Sequence, residues 1–218
     1  ACYTSYHCHQ LMKASDFKGS HFYLDLDGTL YQTLDMYWKT NTAPADDRQG
    51  NERAVHVEMA NLSWEARVDE STLYPIERDQ YQLKNGRWAL CLPEKYRERL
   101  HAPNYQPVPA RVHRQRGYFS RRVNGRVVRM WDFTEEQYQT LFALIRGLGR
   151  LLPGIVPRVP FDPETRRTPL NRIADFTSFR GILGHAHVQG GTPGGPEVKY
   201  DPGSAFDWTR LRKALARD

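Results

Sequence analysis

Apolar and polar positions alternate with period two in three stretches and recur with helical period in a fourth. His21–Leu26 alternates, reaches Asp27-Gly28 and returns over Thr29–Leu34, which predicts a β-hairpin with a two-residue turn. A second hairpin is predicted around Asn124-Gly125 in GYFSRRVNGRVVRMW. Ala54–Ala60 reads as a strand with Val55, Val57 and Met59 on one face and His56 and Glu58 on the other. Asp132–Leu152 is the clearest helix. Thr134 is its N-cap and Gln137 the capping-box partner, and Tyr138, Leu141, Phe142, Ile145, Leu148 and Leu152 form the core stripe. Pro153-Gly154 stops it. Shorter helices are expected at Tyr6–Ala14, Pro93–Leu100 and Asn171–Phe176, with a basic closing helix over Trp208–Arg217 capped by Asp207. The apolar run Gly181–Gly184 reads as a buried strand delivering His185 at its carboxyl end.

Composition narrows the class. With 218 residues, 39% hydrophobic and 12% aromatic, the chain suffices for one packed domain with room for an insertion. No run approaches the roughly 18 apolar residues of a membrane span. The net charge of +6 favours an anionic partner: cell-wall polymer, nucleic acid or membrane surface. No RNP-like or helix-turn-helix pattern supports nucleic acid. Arg111, Arg114, Arg116, Arg121, Arg122, Arg126 and Arg129 crowd together and either lie against a polyanion or blunt a solvated hairpin edge. Cys2, Cys8 and Cys91 make neither a disulfide framework nor a zinc knuckle, though a Cys2–Cys8 bridge stays open.

The chemistry concentrates near the carboxyl terminus. His185 and His187 precede a Gly/Pro-rich loop, then Lys199-Tyr200-Asp201-Pro202-Gly203. Imidazole and carboxylate are both zinc ligands, and a catalytic zinc takes three protein ligands and water. In an extended segment Lys199 and Asp201 share a face, as do His185 and His187.

The combination GHAHV, glycine loop, KYDPG and AFDW resembles the carboxyl-terminal signature of the zinc-dependent N-acetylmuramoyl-L-alanine amidases, the family that includes peptidoglycan recognition proteins. SHFYLDLDGTLYQ, VHVEMAN and FTEEQYQTLFALI resemble earlier family segments in the same order, so about two thirds of the chain is covered. The resemblance implies an α/β fold: a central mixed β-sheet flanked by α-helices, in a single domain over 1–218 with an irregular basic insertion at 63–131. It implies Zn2+ on His185 and Asp201, with Glu58 as catalytic carboxylate and Lys199 as catalytic lysine; His187, which shares a face with His185 in an extended segment, is expected beside the substrate. Glu58 would move the proton of the attacking water and Lys199 would stabilise the oxyanion.

Two departures matter. The family's first zinc histidine would fall upstream of Ala1, so an amino-terminal strand is expected to be missing; Thr42 stands where a second family histidine is usual. His7 and His9 read as surface histidines. The expected activity is hydrolysis of the amide between N-acetylmuramic acid and L-alanine of the stem peptide. The alternative is an inactive peptidoglycan-binding module of the same fold. The expected partner is peptidoglycan or muropeptide, with no nucleic acid, no membrane span and a monomeric state, at the cell envelope or secreted.

Overall fold

The computed structural model describes residues 2–14, 19–65, 80–191 and 197–216, with backbone alone at 63–65. Thr192–Pro196 of the glycine-rich loop and residues 66–79 of the expected insertion lie outside them. The architecture is α plus β, with helices and three small sheets.

Strands β1 (Phe22–Leu24), β2 (Leu30–Gln32) and β3 (Val57–Met59) form a mixed sheet in the order β2-β1-β3. β1 runs antiparallel to β2 and parallel to β3, with Tyr23 opposite Glu58. The β1–β2 turn is longer than the two residues expected: Asp25 N–H donates to the Thr29 carbonyl and Gly28 N–H to the Asp25 carbonyl. Gly28 has φ +82°, and a Cβ there would lie 2.9 Å from Glu136 Cβ, so both conformation and space demand glycine.

Strands β4 (Ser63–Glu65), β7 (Phe119–Val123) and β8 (Arg126–Met130) form an antiparallel sheet in the order β4-β8-β7. The predicted Asn124-Gly125 hairpin is present. Val123 faces Arg126 and both turn residues have positive φ, as a two-residue type I′ turn requires. Strands β5 (Tyr81–Lys84) and β6 (Arg87–Leu90) make a third hairpin through Asn85-Gly86, inside a stretch whose sequence shows no clean period.

Helix α1 (Ser5–Lys13) is capped by Thr4, whose Oγ1 accepts from His7 N–H. Helix α4 (Glu135–Leu151) carries the predicted capping box, and α6 (Trp208–Leu215) is capped by Asp207. Gly50–Arg53 (α2), Glu94–Arg97 (α3) and His185–Val188 (α5) are single turns. The Asn171–Phe176 stretch forms bends and turns instead of a helix.

Two cores meet the two faces of β1. Leu24, with Val57 and Met59, packs against Tyr138, Leu141, Phe142 and Ile145 of α4 and Leu211 of α6. Burying each large side chain contributes roughly 1.5–3 kcal/mol, so this stripe anchors α4 to the sheet. Tyr23 joins Cys2, Cys8, Ala60, Leu90 and Trp131 in the second core. Gln137 is fully buried because it is a cross-link as well as a cap: its amide donates to the Ala60 carbonyl at 2.7 Å, while Thr134 Oγ1 donates to the Leu26 carbonyl at 2.6 Å.

Two expectations are corrected, and the question left open at Cys2 and Cys8 is answered. Gly181–Gly184 is not a strand; Ile182 N–H reaches the Arg158 carbonyl, but close packing at Gly181 and Gly184 bends the segment into a loop. The arginine cluster is partly internal. Arg111 Nε pairs with Asp132 at 2.7 Å and its Nη1 with Asp207 at 2.9 Å, and Arg129 is only 7% exposed. Cys2 and Cys8 are disulfide-bonded. No helix among the described residues is long and apolar enough to cross a membrane.

Candidate functional site

The site is built by pressing one helical turn against one loop. α5 begins at His185, and the Ala186 N–H donates to the Asp201 carbonyl at 3.0 Å. A Cβ on Gly184 would lie 2.5 Å from Pro202 Cδ and 2.9 Å from the Asp201 carbonyl oxygen, so the approach depends on glycine. Asn124, at the tip of the β7–β8 hairpin, joins the pieces. Its Nδ2 donates to the carbonyls of Ala186 at 2.9 Å and Lys199 at 2.7 Å, and its Oδ1 accepts from Arg172 N–H. Lys199 N–H donates to the Gln189 carbonyl, completing the frame.

Within that frame His185 Nδ1 lies 2.9 Å from Asp201 Oδ2, and His185 Nε2 lies 3.0 Å from Gln189 Oε1. Gln189 is buried and oriented by its own amide, which donates to the Glu197 carbonyl at 2.6 Å. Both imidazole nitrogens therefore face oxygen acceptors. Without a metal, a proton on Nδ1 bridges the ring to the Asp201 carboxylate. A cation that displaced that proton would find two lone-pair donors facing each other. Metal-bound histidines characteristically donate their second N–H to a fixed carbonyl, the part Gln189 fills. Around a tetrahedral zinc with bonds of roughly 2.0–2.1 Å, two such donors stand about 3.3 Å apart. The pair needs to open by only a few tenths of an ångström.

His187 does not point with His185, because the segment is a helical turn and not extended. Its ring is buried: Nδ1 accepts from Gly184 N–H at 3.0 Å and Nε2 donates to the Pro169 carbonyl at 2.8 Å, with the Trp208 ring tilted against it at 4.8 Å. Both nitrogens are used in holding the turn that presents His185. Thr42 Oγ1 donates to the Gly19 carbonyl at 2.6 Å. His7 Nδ1 accepts from Tyr3 N–H, and His9 lies edge-on to Tyr23. Among the described residues no third histidine, cysteine or carboxylate closes on the His185–Asp201 pair.

Glu58 comes to the same region from β3. Burial raises its pKa to about 7, and the nearby Asp201 charge pushes the same way, with His185 opposing. At Asp201 burial also pushes upward, but the His185 hydrogen bond and the His185 and Lys199 charges prevail and hold it below the usual range. The Asp201 side chain is 59% exposed, so that lowering has little energetic weight. The two carboxylates are thus pushed in opposite directions, Glu58 upward and Asp201 downward. Tyr23, on the same sheet face as Glu58, lines a neighbouring cleft of about 530 Å3 with His9, Ser20, Lys39, Arg48 and Glu52.

The sequence reading missed Gln189 and Asn124. Gln189 stands four residues after His185, a spacing that pairs side chains only if the segment is helical. Comparison of the chain with protein-family models, with curated proteins and with solved structures finds no match.

Proposed function

We propose that the chain is a zinc-dependent peptidoglycan amidase domain, hydrolysing the amide between N-acetylmuramic acid and L-alanine of the stem peptide. The observation that carries the proposal is the meeting of His185 Nδ1 and Asp201 Oδ2 at 2.9 Å, with Gln189 behind the ring and the charges of Glu58 and Lys199 reaching the pair. The mixed β2-β1-β3 sheet, with α4 on one face and α1 near the other, serves in this reading as the central sheet of the family fold. His185 and Asp201 would hold the zinc, which when bound supplies a Lewis acid beside the scissile carbonyl.

The remaining work falls to the chain. Glu58, with its pKa near 7, takes a proton from the attacking water and returns it to the leaving amine. Lys199 places a positive charge where the carbonyl oxygen becomes an oxyanion. The cleft beside Tyr23, with Lys39 and Arg48 in its wall, receives the stem peptide.

A second reading, a peptidoglycan-binding module without turnover, is favoured by one observation: the described residues bring two metal donors together, and a catalytic zinc needs three. One experiment separates the two. The 218-residue chain is dialysed against zinc, its metal content is measured, and new amino termini are counted after incubation with purified muropeptide. Release of L-alanine-linked peptide that requires Glu58 and Asp201 establishes the amidase. Muropeptide binding without release, in a chain that retains zinc poorly, establishes the module.

A further inference from the structure

Glu58 has a second set of neighbours. Cys2 follows β3 back through its N–H bond to the Asn61 carbonyl, and Cys8 projects from α1 into the same buried corner. The two Sγ atoms and a Glu58 carboxylate oxygen all lie within 4.8 Å of one another, and the Cys2 and Cys8 Cα atoms are 5.2 Å apart. In the disulfide these sulfurs hold no negative charge and make poor ligands. As thiolates they are soft donors, and with one carboxylate they make an S2O set. Bonds of about 2.3 Å to sulfur and 2.0–2.2 Å to oxygen put such ligands roughly 3.5–3.8 Å apart. Breaking the bond lets the two sulfurs move apart to that spacing, and the carboxylate oxygen already lies within 4.8 Å of both.

We propose that reduction of the Cys2–Cys8 bridge opens a site for a thiophilic divalent cation of the zinc–cadmium class, held by Cys2, Cys8 and Glu58. The redox step is an exchange with a dithiol. The S–S bond breaks and two electrons and two protons pass to the protein sulfurs, while the dithiol closes to its own disulfide. The cation then displaces the two thiol protons to solvent. The site is separate from the His185–Asp201 pair. Its consequence for hydrolysis rests on the amidase reading: a cation there takes Glu58 as a ligand and removes it as a base.

The test uses the full chain, reduced with dithiothreitol, desalted without oxygen and titrated with cadmium alone. With Cys91, the free cysteine, replaced by serine in every sample, one Cd2+ per chain with a thiolate-to-cadmium charge-transfer band is expected in the reduced protein and no band in the oxidised protein. Cys8→Ser abolishes the band, and Glu58→Gln weakens affinity at least about tenfold. Asp201→Asn and His185→Ala, which supply no ligand here, retain the band, so failure here is distinguishable from failure of the amidase reading. Circular dichroism follows the fold in each sample, with the Cys2→Ser/Cys8→Ser double variant as the folded control that lacks both thiols. Absence of the band in the reduced chain overturns the proposal. So does a band whose strength ignores Glu58→Gln, the result given by two thiols in an unfolded segment.

Discussion

A carboxyl group whose pKa is raised in the fold is a liability to stability and an asset to proton transfer. Glu58 is moved from 4.5 to about 7, first by burial and then by Asp201. The folded state holds its proton across a range in which the unfolded chain has released it, so stability falls as pH rises from 4.5 to about 7 and then levels. The penalty reaches at most about 3 kcal/mol. Glu58→Gln keeps the shape and removes the charge. The variant is expected to unfold at the same temperature as the parent near pH 4 and at a higher one at pH 8, read from thermal melts at both values. On the amidase proposal, its amide hydrolysis should fall at least about a hundredfold. At the neighbouring position Asp201→Asn should lower zinc retention after dialysis and leave the melting temperature nearly unchanged, since that side chain is largely exposed.

Among elements, the site depends on how α5 meets the Lys199–Gly203 loop, and two residues test that contact. Gly184→Ala puts a methyl group into Pro202 and the Asp201 carbonyl, which must separate the turn from the loop. Overpacking of this kind costs about 1–3 kcal/mol, and zinc retention should be lost with it. Asn124 has positive φ and donates across the gap, so two substitutions divide its roles. Asn124→Gly keeps the turn and loses the bonds, about 1–3 kcal/mol; Asn124→Ala adds roughly 1 kcal/mol of left-handed strain. Denaturant midpoints and zinc uptake measure both. These elements also mark what the sequence could reveal. Local signals survived: Asn124-Gly125, the Thr134–Gln137 box and the Asp207 cap lie where their residues specify them. GILG misled because an apolar run between glycines looks alike in a buried strand and in a loop packed too tightly for a Cβ. Arg111 misled because its partners Asp132 and Asp207 lie far along the chain, and an arginine-rich run reads as surface until they are placed beside it.

At the scale of the whole molecule, buried titratable groups set the response to acid. Burial raises Asp25 to about 6, Glu58 to about 7 and Asp132 in the same direction. It lowers His56 to about 4, and it lowers His7 and His187 below their ordinary value. The raised acids make the folded state bind more protons than the unfolded chain, so they favour folding less as pH climbs from about 4. The lowered histidines make it bind fewer, so their contribution is lost as pH falls from 6.5 toward 4. Stability changes with pH in proportion to the difference in bound protons. The two sets give opposing slopes, and the lowered carboxylates Asp47, Glu135, Asp162 and Asp201 add to the histidines' side. Removing a group from either side should tilt the slope against the parent's. Glu58→Gln removes one falling contribution, so its stability should rise with pH relative to the parent by up to about 1.4 kcal/mol per unit. His56→Gln, which retains a donor for the Gly50 carbonyl, should tilt it the other way. Urea unfolding at half-unit steps between about pH 4.5 and 6 reads the slopes, and parallel curves for parent and both variants would show that these buried groups do not govern the acid response.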